Sequence, residues 1–174
     1  MERLQIRPSV SADSNAIESL YPKAFPDEEL LPLVRDLLRD PVVTTSLVGV
    51  IDSEVVAHVI FTACGVSDRQ TRAALLAPLG VTPEWHGRGI GSELVRAGLR
   101  QMEEINTEIV CVLGDPAFYG RLGFLPDMSI EPPFPLPDEY EGAWQSQRLG
   151  AGTAPYSGAL LVPGQWLQRS LWTS

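Results

Sequence analysis

One stretch restricts this chain more than any other. Residues 73–92 run as Ala-Ala-Leu-Leu-Ala-Pro-Leu-Gly-Val, then Thr-Pro-Glu-Trp, then His86-Gly87-Arg88-Gly89-Ile90-Gly91-Ser92. An apolar run that ends in a turn reads as a strand. The glycines let another molecule approach the backbone closely. The residues that follow, to about Glu104, carry a helical period. Strand, glycine-rich loop and helix N-terminus place unpaired N–H groups and the positive end of a helix dipole at one spot. Such a spot is an anion site, most naturally for phosphate. The bland alternative for the glycines alone is a flexible surface turn before a helix.

The chain has 174 residues, 44% hydrophobic and 20% charged. That predicts one domain, 1–174, with a real core. No apolar run reaches the roughly 18 residues of a membrane span. The N-terminus lacks a signal-peptide layout, so the expected location is the cytoplasm and no membrane partner is expected. The net charge is −9, which argues against a nucleic-acid partner. It is compatible with a cationic partner such as an amine, and equally with a solubilising surface. Cys64 and Cys111 read as buried free thiols. Two Cys and two His, far apart, do not make a zinc site, and no metal is expected.

The remaining pattern predicts an α+β fold, an α/β mixed sheet flanked by helices. Residues 3–8 read as a strand ended by Pro8. Residues 11–25 read as a helix capped by Ser11 or Asp13, and 27–39 as another, starting near Pro32. Residues 42–51 and 55–66 read as a hairpin around Asp52-Ser53-Glu54, with 73–81 as the third strand of a meander. His58 reads as a packed or surface histidine. After the glycines, Ile90, Leu94, Val95, Gly98, Leu99 and Met102 share one helical face. Residues 109–113 form a short buried strand, parallel to 73–81. Pro116 suits the first turn of a short helix and Gly123 its end. Residues 126–147, with five prolines and no Lys or Arg, read as a long acidic loop with at most one edge strand. Residues 156–162 read as a last strand.

Two glycine templates fail. No Lys follows the glycines as a P-loop requires. Gly87, Gly89 and Gly91 give G-x-G-x-G rather than the dinucleotide G-x-G-x-x-G, and they lie mid-chain after an antiparallel meander. The assembly does resemble something else. Leu75-Leu76-Ala77-Pro78-Leu79-Gly80-Val81, Pro83 through Gly91, and Phe118-Tyr119-Gly120-Arg121-Leu122-Gly123-Phe124 together resemble the GNAT superfamily of acyl-CoA-dependent N-acetyltransferases. His86 stands where Gln or Arg is usual, at a position expected to work largely through its backbone.

The resemblance implies acetyl-CoA as co-substrate and acetyl transfer to a primary amine by direct attack on the thioester. It implies a pyrophosphate site on the amides of His86, Gly87, Arg88, Gly89, Ile90, Gly91 and Ser92. It also implies a splayed parallel pair, 73–81 and 109–113, that admits pantetheine. Pro78, with no N–H to offer a ladder, supports a break at Pro78–Gly80. Leu79 would then align the pantetheine arm, and the Val81 N–H, next to Gly80, would polarise the thioester carbonyl. Tyr119 matches the tyrosine that protonates the leaving thiolate, beside Phe118, against the alternative of a packing tyrosine. Arg121 either reaches the adenosine 3′-phosphate or is solvated. No acid lies in 73–81, so the base is open among Glu84, Asp68, Asp115 and the 127–141 acids. Amine choice is expected to lie with the two N-terminal helices and the 126–147 loop. Relatives often pair as homodimers, and Trp144, Trp166 and Trp172 suit either an interface or a core. The rival functions are a non-catalytic acyl-CoA-binding or sensing module, and an interaction protein using the acidic loop.

Overall fold

A computed structural model describes residues 3–68, 70–127, 129–151 and 156–173. The described strands follow the order β1-β2-β3-β4-β5-β8-β6, with β9 pairing both β3 and β7. Here β1 is Gln5–Pro8, β2 Thr44–Ile51, β3 Glu54–Val66, β4 Arg72–Val81 and β5 Ile109–Leu113. The short strands β6 Leu125–Pro126, β7 Ile130–Glu131, β8 Trp144–Arg148 and β9 Gly158–Leu161 follow. The helices are α1 Ser14–Ala24, α2 Leu31–Leu38, α3 Ile90–Glu104, α4 Pro116–Gly120 and α5 Ser170–Thr173. The chain forms two compact units. One holds the chain up to Phe61 with Ala77–Gly98, and the other holds Thr62–Leu76 with the chain from Leu99 onward.

In the first unit β1 pairs antiparallel with β2, Gln5 opposite Val50. The β2–β3 turn puts both Asp52 and Ser53 at positive φ, 49° and 67°, the backbone form whose twist matches a two-residue hairpin. Helix α1 buries Ile17, Leu20 and Tyr21, spaced three and four apart on one face. Helix α2 buries Leu33, Val34 and Leu37 and has Pro32 in its first turn. The predicted cap on α1 is corrected. Asp13 makes no side-chain cap there. Its carboxylate instead accepts from the Val10 N–H and from both Nη atoms of Arg7, at 2.8–2.9 Å. Arg7 first of all, by hydrogen bonding, holds the Asp13 carboxyl below its usual range. Gly98 lets α3 lie against β3, because a Cβ there would sit 2.0 Å from Phe61 Cε1.

In the second unit β4 and β5 are parallel, with Ala73, Ala74 and Leu75 opposite Ile109, Val110 and Cys111. No further β4–β5 pair follows among the described residues, although β4 continues to Val81 and β5 to Leu113. Five residues of β8 pair antiparallel with β5, and β6 pairs with the other edge of β8. This corrects the 126–147 loop. The prolines stop at Pro137, and Trp144 to Arg148 is proline-free and fully able to enter a ladder. The last strand also shortens, from 156–162 to β9.

Trp144, Trp166 and Trp172 are buried, and Trp172 meets both others edge-on at 5.8 Å. Each indole N–H is satisfied, by Ile130 O, Thr62 Oγ1 and Trp166 O respectively. They are core residues, so the interface reading of these tryptophans falls. Cys111 is buried and Cys64 half-buried, both as free thiols. Burial raises both, Cys64 to about 12. Neither is poised as a nucleophile.

Candidate functional site

The first unit holds the glycine loop. A short 3₁₀ turn, Pro83–Trp85, follows β4, with Thr82 before it and His86 after it. Gly87 and Gly89 both adopt positive φ, 74° and 77°, and a Cβ at either would meet nothing within 4 Å. The glycines are therefore required by backbone conformation, not by crowding. Helix α3 opens at Ile90, whose side chain is buried. Among the described residues, no backbone carbonyl accepts from the N–H groups of Gly87, Arg88, Gly89, Ile90, Gly91 or Ser92. Successive free amides in alternating conformations, at the N-terminus of a fifteen-residue helix, form an anion-binding concavity.

His86 departs from the backbone role predicted for it. Its N–H is already given to Pro83 O at 3.1 Å. Its ring Nε2 lies 2.7 Å from Val81 O. A carbonyl only accepts, so Nε2 carries the proton. His86 thus ties the loop back to the end of β4. Arg88 is also placed, because its guanidinium carbon lies 4.6 Å from the Trp85 ring centroid. On β4, Pro78 and Gly80 are buried while Leu79 and Val81 are half-buried. Thr82 is buried, and its Oγ1 makes no hydrogen bond to the protein.

The second unit holds the other motif. Asp115 accepts from the Ala117 N–H at 2.9 Å and caps α4, with Pro116 at its first position. Tyr119, 9% exposed, packs edge-on between Phe118 and Phe124 at 4.9 and 5.6 Å. Gly114 makes room for it, since a Cβ there would lie 2.4 Å from Tyr119 Cε2. Burial pushes the Tyr119 phenol up to about 12. Arg121 is exposed, with Nε donating to Ala117 O at 3.0 Å.

The candidate bases sort differently from expectation. Asp68 accepts from the Gln70 N–H, the Thr71 N–H and the Thr71 hydroxyl, which hold its carboxyl low. Asp127 accepts from Ser129 and Ser146, and its carboxyl is lowered despite partial burial. Asp68 and Asp127 thus bind their own turns, Asp127 also accepts from Ser146 across 19 residues, and Asp115 caps α4. Glu84 is exposed in the first turn after β4.

A buried polar chain went unread in the sequence. His58 is 0% exposed, with Nδ1 2.7 Å from the Tyr21 hydroxyl and Nε2 2.7 Å from Ser46 Oγ, which bonds Ser9 Oγ at 2.6 Å. Burial depresses His58 to about 4, so the ring is neutral. The only signal was one histidine in an apolar strand, which does not reveal partners 37 and 12 residues away.

The sequence profile of the acetyltransferase (GNAT) family matches residues 14–124. The chain belongs to the GNAT acetyltransferase family. Among its GNAT relatives is the uncharacterised N-acetyltransferase YjhQ of Escherichia coli K12, 31% identical over 147 residues, 80% of this chain and 81% of the relative. Another is the uncharacterised N-acetyltransferase YhbS of the same strain, 33% identical over 120 residues, 68% and 72% of the two chains. The crystal structure of Escherichia coli YhbS in complex with CoA superposes with a TM-score of 0.83 at 28% identity, over 97% of this chain and 94% of that one. A Brucella melitensis GNAT acetyltransferase in complex with acetyl-CoA shares the fold, with a TM-score of 0.75 at 23% identity, covering 95% and 99%. The mixed sheet flanked by helices is the GNAT fold. Among the described residues no helix is long and apolar enough to cross a membrane, and no three His, Cys, Asp or Glu lie grouped as metal ligands.

Proposed function

We propose that this protein transfers the acetyl group of acetyl-CoA to a primary amine. The observation that carries the reading is the row of unpaired amides from Gly87 to Ser92 at the start of α3. Six N–H groups with no backbone acceptor among the described residues suit the pyrophosphate of coenzyme A. Arg88, steadied on Trp85, adds a cation to that site. Relatives in complex with CoA and acetyl-CoA support this choice of ligand.

The pantetheine arm is assigned to Leu79–Val81, at the end of β4 where Pro78 has no N–H to give a ladder. The Val81 N–H is the donor to the thioester oxygen. The amine nitrogen attacks the thioester carbon, a C–N bond forms, the C–S bond breaks, and the proton lost by the amine balances the thiol of free CoA. Tyr119 keeps its proton at neutral pH because burial raises it. A phenol near 12 is a weak acid toward a thiolate near the ordinary thiol value of about 8.5. Its role is therefore a hydrogen bond to the departing sulfur rather than full proton transfer. Phe118 and Arg121 flank it, Phe118 as support and Arg121 as a cation for a CoA phosphate. A cytoplasmic location and pairing with a second copy are further parts of this proposal.

The test is release of free CoA thiol from acetyl-CoA across a panel of primary amines. Tyr119→Phe keeps the ring between its aromatic neighbours and is expected to slow release by about 10²–10³-fold, the loss of one hydrogen-bond donor to developing charge. An unchanged rate removes Tyr119 from the chemistry. Tight CoA binding with no amine-dependent release favours the non-catalytic acyl-CoA-binding module.

A further inference from the structure

The acyl group, rather than the coenzyme, meets a feature that the loop motif does not contain. Along the end of β4, Pro78 and Gly80 face one way and Leu79 and Val81 the other, by the two-residue period of a strand. Helix α1 covers the Gly80 face. A Cβ on Gly80 would lie 2.8 Å from Leu20 Cδ2 and 3.5 Å from both Tyr21 Cε1 and Phe25 Cε2. Leu20 and Tyr21 of α1, with Phe25 just after it, therefore rest on bare backbone at the residue before Val81. A carbonyl held by the Val81 N–H has its acyl chain one peptide unit from that contact.

The contact is braced. Tyr21 is 1% exposed, and its hydroxyl lies 2.7 Å from His58 Nδ1. The described partners of that hydroxyl include no other acceptor, so the phenol donates to Nδ1 and His58 Nε2–H donates to Ser46 Oγ. Phe25 stacks on Tyr21 with an interplanar angle of 15° and centroids 6.1 Å apart. Leu20 is 1% exposed. Buried, hydrogen-bonded and stacked side chains cannot swing aside without breaking these contacts.

We propose that Leu20, Tyr21 and Phe25 form a rigid wall over Gly80 that limits the donor's acyl group to about the size of acetyl. The inference rests on acetyl-CoA as the ligand and adds which acyl chains the site rejects. Tyr21 and His58 are positioning residues, and Leu20 and Phe25 set the depth.

Titration calorimetry with CoA, acetyl-CoA and hexanoyl-CoA tests it without knowledge of the amine. The natural protein is expected to bind CoA and acetyl-CoA comparably and hexanoyl-CoA about tenfold more weakly, or worse, since single methylenes already discriminate at that level. Phe25→Ala, at a half-buried position, is expected to recover hexanoyl-CoA binding with CoA affinity unchanged. Leu20→Ala is expected to do the same, and a thermal melt checks that it folds. Hexanoyl-CoA bound as tightly as acetyl-CoA by the natural protein overturns the wall. So does an unchanged hexanoyl-to-acetyl ratio in Phe25→Ala. Failure of CoA itself to bind is a different result, which overturns the function and the wall with it.

Discussion

At the residue scale, the most informative side chains are those whose environment changes their chemistry. His58 is buried neutral, at about 4 against an ordinary value of 6.5, first because of desolvation. Between those values the unfolded chain holds a proton that the folded chain lacks. Stability therefore rises with pH across that window and is complete above about 6.5, with a full span on the order of 3 kcal/mol. The expected outcome is a melting temperature that falls as pH drops from 6.5 to 4, and a much flatter profile in His58→Gln. Asp13 works at lower pH. Its folded value is depressed, so its contribution is present above the usual carboxylate value and is lost as pH falls through the folded one. Tyr119 titrates near 12, so an alkaline fall in turnover below pH 10 must come from another group, and Tyr119→Phe should leave that limb in place. The placement of Tyr119 beside Phe118 and Phe124 was legible from the sequence, because all three lie in one compact motif. The His58 chain was not, because its partners converge only after β2, β3 and α1 have packed.

At the element scale, the glycine loop and α3 act as one device. Gly89 holds φ at 77° with open space around it. Alanine there costs about 1–2 kcal/mol through backbone strain alone. Gly89→Ala is expected to weaken CoA binding by about 5–30-fold, the same free energy expressed as an equilibrium, while melting shows a fold otherwise intact. Equal affinity in the two proteins would remove the left-handed loop from CoA recognition. Strand β8 makes the opposite case. Trp144→Ala should cost about 3–5 kcal/mol, because it empties a packed core and orphans Ile130 O; urea unfolding measures it. The β2–β3 hairpin, the apolar stripe of α3, Pro116 and the parallel β4–β5 pair were readable, since each follows a local period or a single residue's stereochemistry. Strand β8 was not. Its residues Trp-Gln-Ser-Gln-Arg carry no alternation of apolar and polar, and its place is decided by the edge that β5 presents.

At the scale of the whole molecule, the family and the ligand class were legible because two motifs about thirty residues apart had to agree in order with the surrounding elements. The amine site was not legible from the candidate bases: Asp68, Asp115 and Asp127 each accept from nearby backbone N–H groups, while Glu84 is exposed. A net charge of −9 makes screening by salt relevant to any cationic amine, and its apparent affinity should fall as ionic strength rises. Ligand binding to the folded state alone raises stability by about 2.7 kcal/mol at a hundredfold excess over Kd, so CoA should lift the melting temperature in a concentration-dependent way. Acetyl transfer yields two products, and both can be followed at once. Acetyl-CoA is offered with a panel of primary amines, free thiol is followed continuously, and the amines are weighed by mass spectrometry. Amine-dependent thiol release, matched mole for mole by an N-acetylated amine, is expected, with a large loss of both in Tyr119→Phe. Saturable acetyl-CoA binding with neither product from any amine would contradict acetyl transfer.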